Sequence, residues 1–308
     1  MVVYRRIPRF PLNLPAPVAA IGIFDGVHSG HRAILKKADI AVTFYPHPLS
    51  ILHPAIAPPL LMSLDHRLAA ISRLGIRRTV VIPFSRSFSR WSPERFAAEL
   101  LAGRLRARAV VVGYNFRFGR QRAGTVRTLR GLGKRHGFKV HVVSPVRSGG
   151  VRVSSGRLRD WLRQGKIGKV RRLMGGPATV TGRVMHGAGR GVKLGFPTAN
   201  LKVESGLLPP VGVYAVRARI NKSTGYKVPG TLYGGMANWG FRPTFPARQS
   251  SPILEVHLFG PRHSLYGRRM EVEFLRRLRG EKRFPSAAAL ARQLSIDARR
   301  ARWYTPPR

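Results

Sequence analysis

The sequence predicts an α/β domain on a parallel sheet, followed by a small antiparallel β-barrel with a C-terminal helix. Three observations carry this. Over residues 18–146, short apolar runs alternate with helix-length segments, the pattern of strands joined by crossover helices. Gly175-Gly176-Pro177 then interrupts the pattern, as a boundary does. Beyond it, short alternating segments are joined by Gly/Pro loops until one long helical stretch closes the chain, as in a barrel. The division falls at 1–175 and 176–308.

In order, residues 18–24, 41–45, 77–84, 107–114 and 138–146 read as buried strands. Residues 29–38, 63–74, 92–102 and 124–136 between them read as helices. Ser92-Pro93-Glu94 is a start signal, with Ser as N-cap and Pro at the first helical position. Two short helices, 155–163 and 166–174, parted by Gly165, close this half. The barrel strands are expected at 178–185, 212–220, 230–238, 253–259 and 270–278, and the last helix at 286–304 with Ser286 as N-cap.

Charge is the extreme feature. Lys and Arg number 56 against 12 Asp and Glu, a net +44, with a sequence pI near 12.0. The cations are spread along the whole chain, Arg heavily favoured, with no block forming an arm. This reads as a compositional bias with an affinity for phosphate-bearing ligands. Self-repulsion at low salt and nonspecific polyanion binding follow. A dedicated nucleic-acid-binding protein is the alternative from another class. There is no cysteine, which excludes disulfides, a thiol nucleophile and zinc–thiolate sites. No window approaches the roughly 20 apolar residues of a membrane helix, and the proline-bearing start is not a signal peptide. The expectation is a cytoplasmic protein without membrane attachment, a monomer or weak oligomer.

Residues 21–31 read Ile-Gly-Ile-Phe-Asp-Gly-Val-His-Ser-Gly-His. A strand runs through a glycine turn into a helix, where α/β sheets hold ligands. His28 and His31 are three apart and share a face of the first turn. Two imidazoles beside helical N–H groups, with Gly26 before them and Gly30 between them, suit a phosphate chain. Histidines so spaced could also be metal ligands, although no carboxylate or cysteine cluster accompanies them, or ordinary core or surface residues. In nucleotidyl transfer the acceptor phosphate is already a nucleophile. The protein then has to position it and stabilise charge on the α-phosphate and the leaving pyrophosphate.

Other motifs share that placement: Thr-Phe-Tyr-Pro-His-Pro at 43–48, Asn-Phe-Arg-Phe-Gly at 115–119 and Ser-Ser-Gly-Arg-Leu-Arg at 154–159. Together these residues resemble the FAD synthetase module of the bifunctional bacterial riboflavin kinase/FMN adenylyltransferases. The resemblance implies a Rossmann-like, nucleotidyltransferase-type fold that transfers AMP from ATP to FMN. It implies His28 and His31 at the ATP phosphates, with Gly26, Gly30, Ser155, Arg157 and Arg159 nearby. Asn115 and Arg117 fall to the flavin or nucleotide. Gly156 stands where the family has Thr, and Asn115 where Asp is common. Only "RAILKKADIA" separates His31 from Val42. A five-residue strand spans about 16 Å, so a helix returning over it needs about 10–11 residues; the crossover is possible, but trimmed.

In the second half, "GRGVKLGFPTAN" at 189–200 is the strongest signal. It is not a GxGxxG fingerprint and no helix is expected after it. A glycine-rich loop between barrel strands can still cradle phosphates. Thr198 and Asn200 offer uncharged oxygens to Mg²⁺, a hard cation that keeps waters and substrate phosphates in its shell; a plain β-turn is the bland alternative. Downstream, Leu254, Val256 and Leu258 share one face of a strand, and Glu255 and His257 the other. Glu255 is either a solvated acid or a general base for a primary hydroxyl attacking a γ-phosphate.

With "GVYAV" 212–216, "NWGFRPTF" 238–245, "LEVHLF" 254–259, "LYG" 265–267 and "RGEKRF" 279–284, these features resemble the riboflavin kinase module of the same family, in order, over nearly all of 178–300. The resemblance implies Thr198 and Asn200 on Mg²⁺, Gly189, Gly191 and Gly195 at the nucleotide phosphates, Glu255 as base and Arg279 in the flavin pocket. Trp239 stands where a smaller aliphatic is usual. The expectation is a bifunctional enzyme making FMN from riboflavin and MgATP, then FAD and pyrophosphate from FMN and ATP. A kinase with a weakened adenylyltransferase half is the alternative.

Overall fold

The computed structural model describes residues 1–10, 15–187, 190–221, 231–240, 252–260 and 265–305. By contacts the chain forms two compact units. One holds residues 1–58, 64–157 and 173–176, the other 59–63, 158–172 and 177–308.

The first unit is built on six strands: β1 (Val2–Tyr4), β2 (Val18–Ile21), β3 (Ile40–Tyr45), β4 (Arg78–Pro83), β5 (Ala109–Gly113) and β6 (Lys139–Val143). They pair in the order β1-β4-β3-β2-β5-β6, every pairing parallel. Central strands covered on both faces must be apolar throughout, and all four residues of β2 are buried. Crossover helices follow at Ser29–Leu35, Leu64–Ser72 and Val126–His136, and a helical segment at Pro93–Arg95 continues as a π-helix over Phe96–Arg104. Ser92 and Thr125 cap two of these by accepting from the Arg95 and Thr128 N–H groups. Ile21, Val42, Val80, Leu100, Val110 and Leu129 belong to one continuous core. The chain leaves β2 towards β3 and leaves β5 towards β6, in opposite directions across the sheet. The crevice outside the carboxyl ends of β2 and β5 is therefore the topological switch point, where such sheets take ligands. A short hairpin, β7 (Arg147–Ser148) and β8 (Val151–Arg152), completes the strands of this unit.

The second unit contains a closed antiparallel barrel. Its strands are β9 (Ala178–Met185), β10 (Ala199–Gly206), β11 (Gly212–Asn221), β12 (Leu232–Gly240), β13 (Ile253–Leu258) and β14 (Arg269–Arg279), in the order β10-β13-β12-β11-β14-β9. Ser286 caps the Ala287–Tyr304 helix by accepting from the Ala289 N–H. Ala215, Met236, Ala298 and Ala301 form a core cluster joining that helix to β11 and β12. Among the described residues no helix is long and apolar enough to cross a membrane.

The sequence missed some elements and misjudged others. β1 has three residues, too few to show a period. β10 is polar along most of its length and bulges between Val203 and Ser205, so its alternation is masked. The Ser29 helix ends at Leu35 rather than residue 38. A helical turn at Arg190–Lys193 occupies the glycine-rich loop where none was expected. By contacts the stretches 59–63 and 158–172 group with the barrel, and 173–176 with the sheet. Backbone bonds explain part of this: Thr179 N donates to Leu61 O, and Leu207 N to Leu60 O.

Candidate active sites

In the sheet unit, the loop after β2 turns sharply. Phe24, Gly26 and Val27 hold φ of 54°, 84° and 38°. A β-branched residue at positive φ is strained, and such strain persists only where surroundings enforce it. Ser155 Oγ donates to the Asp25 carbonyl at 2.9 Å, Thr43 Oγ1 to the Ile23 carbonyl at 2.9 Å, and Gly175 N to the Gly26 carbonyl at 3.1 Å. The glycine pair read as a boundary thus buttresses the turn. A Cβ on Gly175 would sit 3.1 Å from the Val27 Cβ and carbonyl oxygen.

The turn delivers two stacked imidazoles. The His28 and His31 rings lie 3.6 Å apart at 18°, and the Phe24 edge meets His31 at 5.4 Å. His28 is 5% exposed and is the N-cap, its Nδ1 accepting from the His31 N–H at 3.3 Å. Because Nδ1 accepts, the ring proton sits on Nε2. Gly30 leaves room for that ring: a Cβ there would lie 3.2 Å from it. Burial, then the neighbouring His28 and Arg67, hold the His31 pKa well below the ordinary value, so it is neutral at pH 7. His31 Nδ1 and Ser29 Oγ are buried without hydrogen-bond partners.

Arg67 is the residue sequence reasoning missed. It is 1% exposed on the Leu64–Ser72 helix, reaching the Phe44 carbonyl with Nη1 at 3.4 Å, while its buried Nε has no partner. Burial disfavours its charge, and the Asp25 carboxylate opposes that most strongly. One arginine among 56 basic residues carries no sequence signal; only its burial marks it. Asn115 and Arg117, in the loop after β5, are exposed at the other lip of the switch point. Arg157 is exposed on the Ser155–Arg163 helix. Arg159, on the same helix, is buried in the barrel unit, and its Nε donates to the Pro59 carbonyl at 2.8 Å.

In the barrel, strand register assembles the second site. Asn200 of β10 and Asn238 of β12 are both directly opposite Glu255 of β13. Directly paired residues present side chains on the same face, giving a row Asn200–Glu255–Asn238. Leu254 and Val256 are buried on the other face, as the alternation predicted. His257 lies two residues along from Glu255, and its Nδ1 bonds the Pro197 carbonyl at 2.8 Å, tying β13 to the segment that carries Thr198. Burial lowers the His257 pKa, so the ring is neutral and Nδ1 is the donor. A Cβ on Gly187 would overlap the Asn200 carboxamide, and one on Gly191 would strike the Phe196 carbonyl and lie 3.1 Å from Thr198 Oγ1. The loop therefore closes on Thr198 and Asn200 only because these positions are bare. Gly195 takes φ 78°. Gly189, and 241–245 of the 238–245 segment, lie outside the described residues.

Two uncharged oxygens and an adjacent carboxylate fit a hard cation that draws its other ligands from phosphate and water. Among the described residues no group of three or more His, Cys, Asp or Glu side chains could hold a metal ion, so a cation here would depend on the Thr198 and Asn200 oxygens with phosphate and water. Arg279, itself half-buried, is held in an ion pair with the buried Asp297, its Nε 2.8 Å from Oδ2, and its guanidinium lies 5.5 Å from the Phe284 ring.

A phosphate-suited crevice at a parallel-sheet switch point, on one chain with a carboxylate-and-amide row on a barrel, defines a two-domain nucleotide-dependent transferase. Residues 12–157 match the family model for FAD synthetase, and residues 174–305 that for riboflavin kinase. The chain belongs to the bifunctional riboflavin kinase/FMN adenylyltransferase family. It is 35% identical over 295 residues to that protein of Escherichia coli (strain K12), covering 92% of this chain and 91% of the relative. It is 33% identical over 298 residues to that of Bacillus subtilis (strain 168), covering 92% and 91%. A crystal structure named as a macrolide-efflux protein from Streptococcus pneumoniae matches with a TM-score of 0.74 at 25% identity, covering 96% of this chain and 97% of that one.

Proposed function

We propose that this chain makes FMN from riboflavin and ATP in its 176–308 domain, and FAD and pyrophosphate from FMN and ATP in its 1–175 domain. The observation that carries this is one chain holding both the stacked His28–His31 pair and the Asn200–Glu255–Asn238 row.

In the kinase step, Glu255 takes the proton of the riboflavin 5′-hydroxyl as its oxygen attacks the γ-phosphorus and ADP leaves. Thr198 and Asn200 would hold Mg²⁺, which neutralises charge on the phosphates. Gly189, Gly191 and Gly195 let the loop backbone approach the nucleotide, and His257 fixes the Pro197 end of that loop. Arg279 borders the flavin. In the adenylyl step, an FMN phosphate oxygen attacks the α-phosphorus of ATP and pyrophosphate leaves. His28 donates through Nε2–H to the phosphate chain. Neutral His31 stacks behind it, Gly26 and Gly30 admit the chain, and Arg157 adds positive charge. Ser155 acts by fixing the Asp25 carbonyl. Asn115 and Arg117 meet the flavin nucleotide. The reading includes a cytoplasmic compartment, a monomer or weak oligomer, and nonspecific polyanion binding from the +44 charge.

Purified protein given riboflavin and MgATP should yield FMN and then FAD, resolved by chromatography. FMN without FAD leaves the kinase alone, a second reading favoured by Gly156 and by the seven-residue Ser29–Leu35 helix.

A further inference from the structure

The C-terminal helix and the strand beside it hide their acids and display their arginines. The helix has one acid, Asp297, which is fully buried; Arg279 Nε donates to it at 2.8 Å and Gln293 Nε2 at 3.0 Å. On β14, Glu271 and Glu273 are buried as well. Arg276 and Arg277 of β14 and Arg299 and Arg300 of the helix are exposed. These four line an open hollow of about 530 Å³ together with Trp303 and Tyr304, and no carboxylate lines it. Trp303 is 84% exposed, the most exposed large apolar side chain among the described residues. Arg299 and Trp303, and Arg300 and Tyr304, are four apart on the helix, so each cation neighbours a ring. The Arg276 guanidinium lies 5.9 Å from the Tyr304 ring centre.

Neither proposed reaction uses these residues. Guanidinium forks match phosphate oxygens, and exposed rings are platforms on which bases stack regardless of sequence. An open hollow lined by four arginines suits a polymer that passes over it, and a net +44 draws a polyanion to the protein. We infer that this face binds single-stranded nucleic acid, with phosphates on the four arginines and a base on Trp303. The inference is independent of the flavin reactions.

The test uses the full chain and a short labelled single-stranded oligonucleotide, followed by fluorescence anisotropy between about 50 and 200 mM salt. Trp303→Ala should weaken binding about tenfold while leaving inorganic polyphosphate binding unchanged, and Trp303→Phe should retain most of the affinity. Replacing Arg299 and Arg300 together by Gln should flatten the log–log salt slope by about 1.4, at ~0.7 per phosphate contact on a single strand. Riboflavin kinase activity, unchanged in every variant, reports intact folding. Three outcomes overturn the inference: no effect of Trp303→Ala, polyphosphate binding as tight as the oligonucleotide, or anionic lipid vesicles binding more tightly than either.

Discussion

The two active sites are built by opposite means. In the sheet unit the two histidines stand where a loop bent through positive φ at Phe24, Gly26 and Val27 enters a helix. In the barrel the site residues ride on ladders, and register alone sets Asn200, Glu255 and Asn238 in a row. Among the described residues, the buried side-chain atoms without partners are Ser29 Oγ, His31 Nδ1 and Arg67 Nε, all on helices beside the sheet site, and Arg219 Nε on β11 of the barrel. Such groups are costly unless a ligand completes them. The barrel site instead has its loop end fixed by a 2.8 Å bond from His257 to the Pro197 carbonyl. On the proposed function, the sheet site would capture an anion and the barrel site would abstract a proton beside a cation.

The largest effects should separate the two sites outright. Glu255→Gln removes the proposed base and should lower FMN formation about 10³-fold, leaving adenylylation of supplied FMN near the wild-type rate. His28→Ala is the mirror image. FAD synthesis should fall about 10²-fold with FMN synthesis intact, and the sheet unit should lose about 1 kcal/mol with its helix cap. Assays with riboflavin and with FMN as separate substrates decide both. A Glu255→Gln protein that still makes FMN at full rate would sink the base assignment.

How much of this contrast the sequence showed follows from what each element hides. Strands β2 to β5 were legible because burial on both faces leaves apolar runs. The His28–His31 turn was legible because it breaks such a run. The face shared by Glu255 and His257 was legible because alternation is local. Arg67 was not, because its burial comes from tertiary packing rather than from its neighbours in the chain. The pairing of Asn200 and Asn238 with Glu255 was not, because register between strands far apart in sequence leaves no local trace. The bond from His257 to Pro197 depends on a loop path that only the folded chain sets.

Arg67 offers an intermediate effect. Arg67→Met removes one of three causes holding the His31 pKa down, so an NMR titration should find His31 titrating at higher pH than in the wild type. FAD synthesis should fall about tenfold, the scale of one lost charge interaction of roughly 1.4 kcal/mol, with FMN synthesis unchanged. An unmoved His31 titration would remove Arg67 from the site. The wild type should also show the sign of that shift in its stability. A histidine whose folded pKa lies below the unfolded value of about 6.5 takes up its proton more readily when unfolded. Stability of the sheet unit is therefore full above about pH 6.5 and declines as pH falls towards the folded pKa. Urea midpoints measured through that window should drop on acidification, and His31→Gln should flatten the drop. His257, lowered by burial in the barrel, should contribute a second decline of the same sign.

The smallest effect bears on the weakest point of the sheet site. Ser155 is already committed, its hydroxyl donating to the Asp25 carbonyl, and Ser154 Oγ caps the helix by accepting from the Arg157 N–H, so a third hydroxyl would add a phosphate donor bound to neither task. Gly156 is where one could be added. Its backbone is not among the positive-φ residues, and a Cβ there would meet only Ser154 Oγ, at 4.0 Å. Gly156→Thr should therefore fit without displacement and gain a few tenths of a kcal/mol in helix propensity. It should raise FAD synthesis two- to fivefold, about 0.4–1 kcal/mol, and leave FMN synthesis untouched. An unchanged or lower FAD rate would mean that the His28–His31 pair and the surrounding arginines already satisfy the phosphates, and that the glycine is no defect.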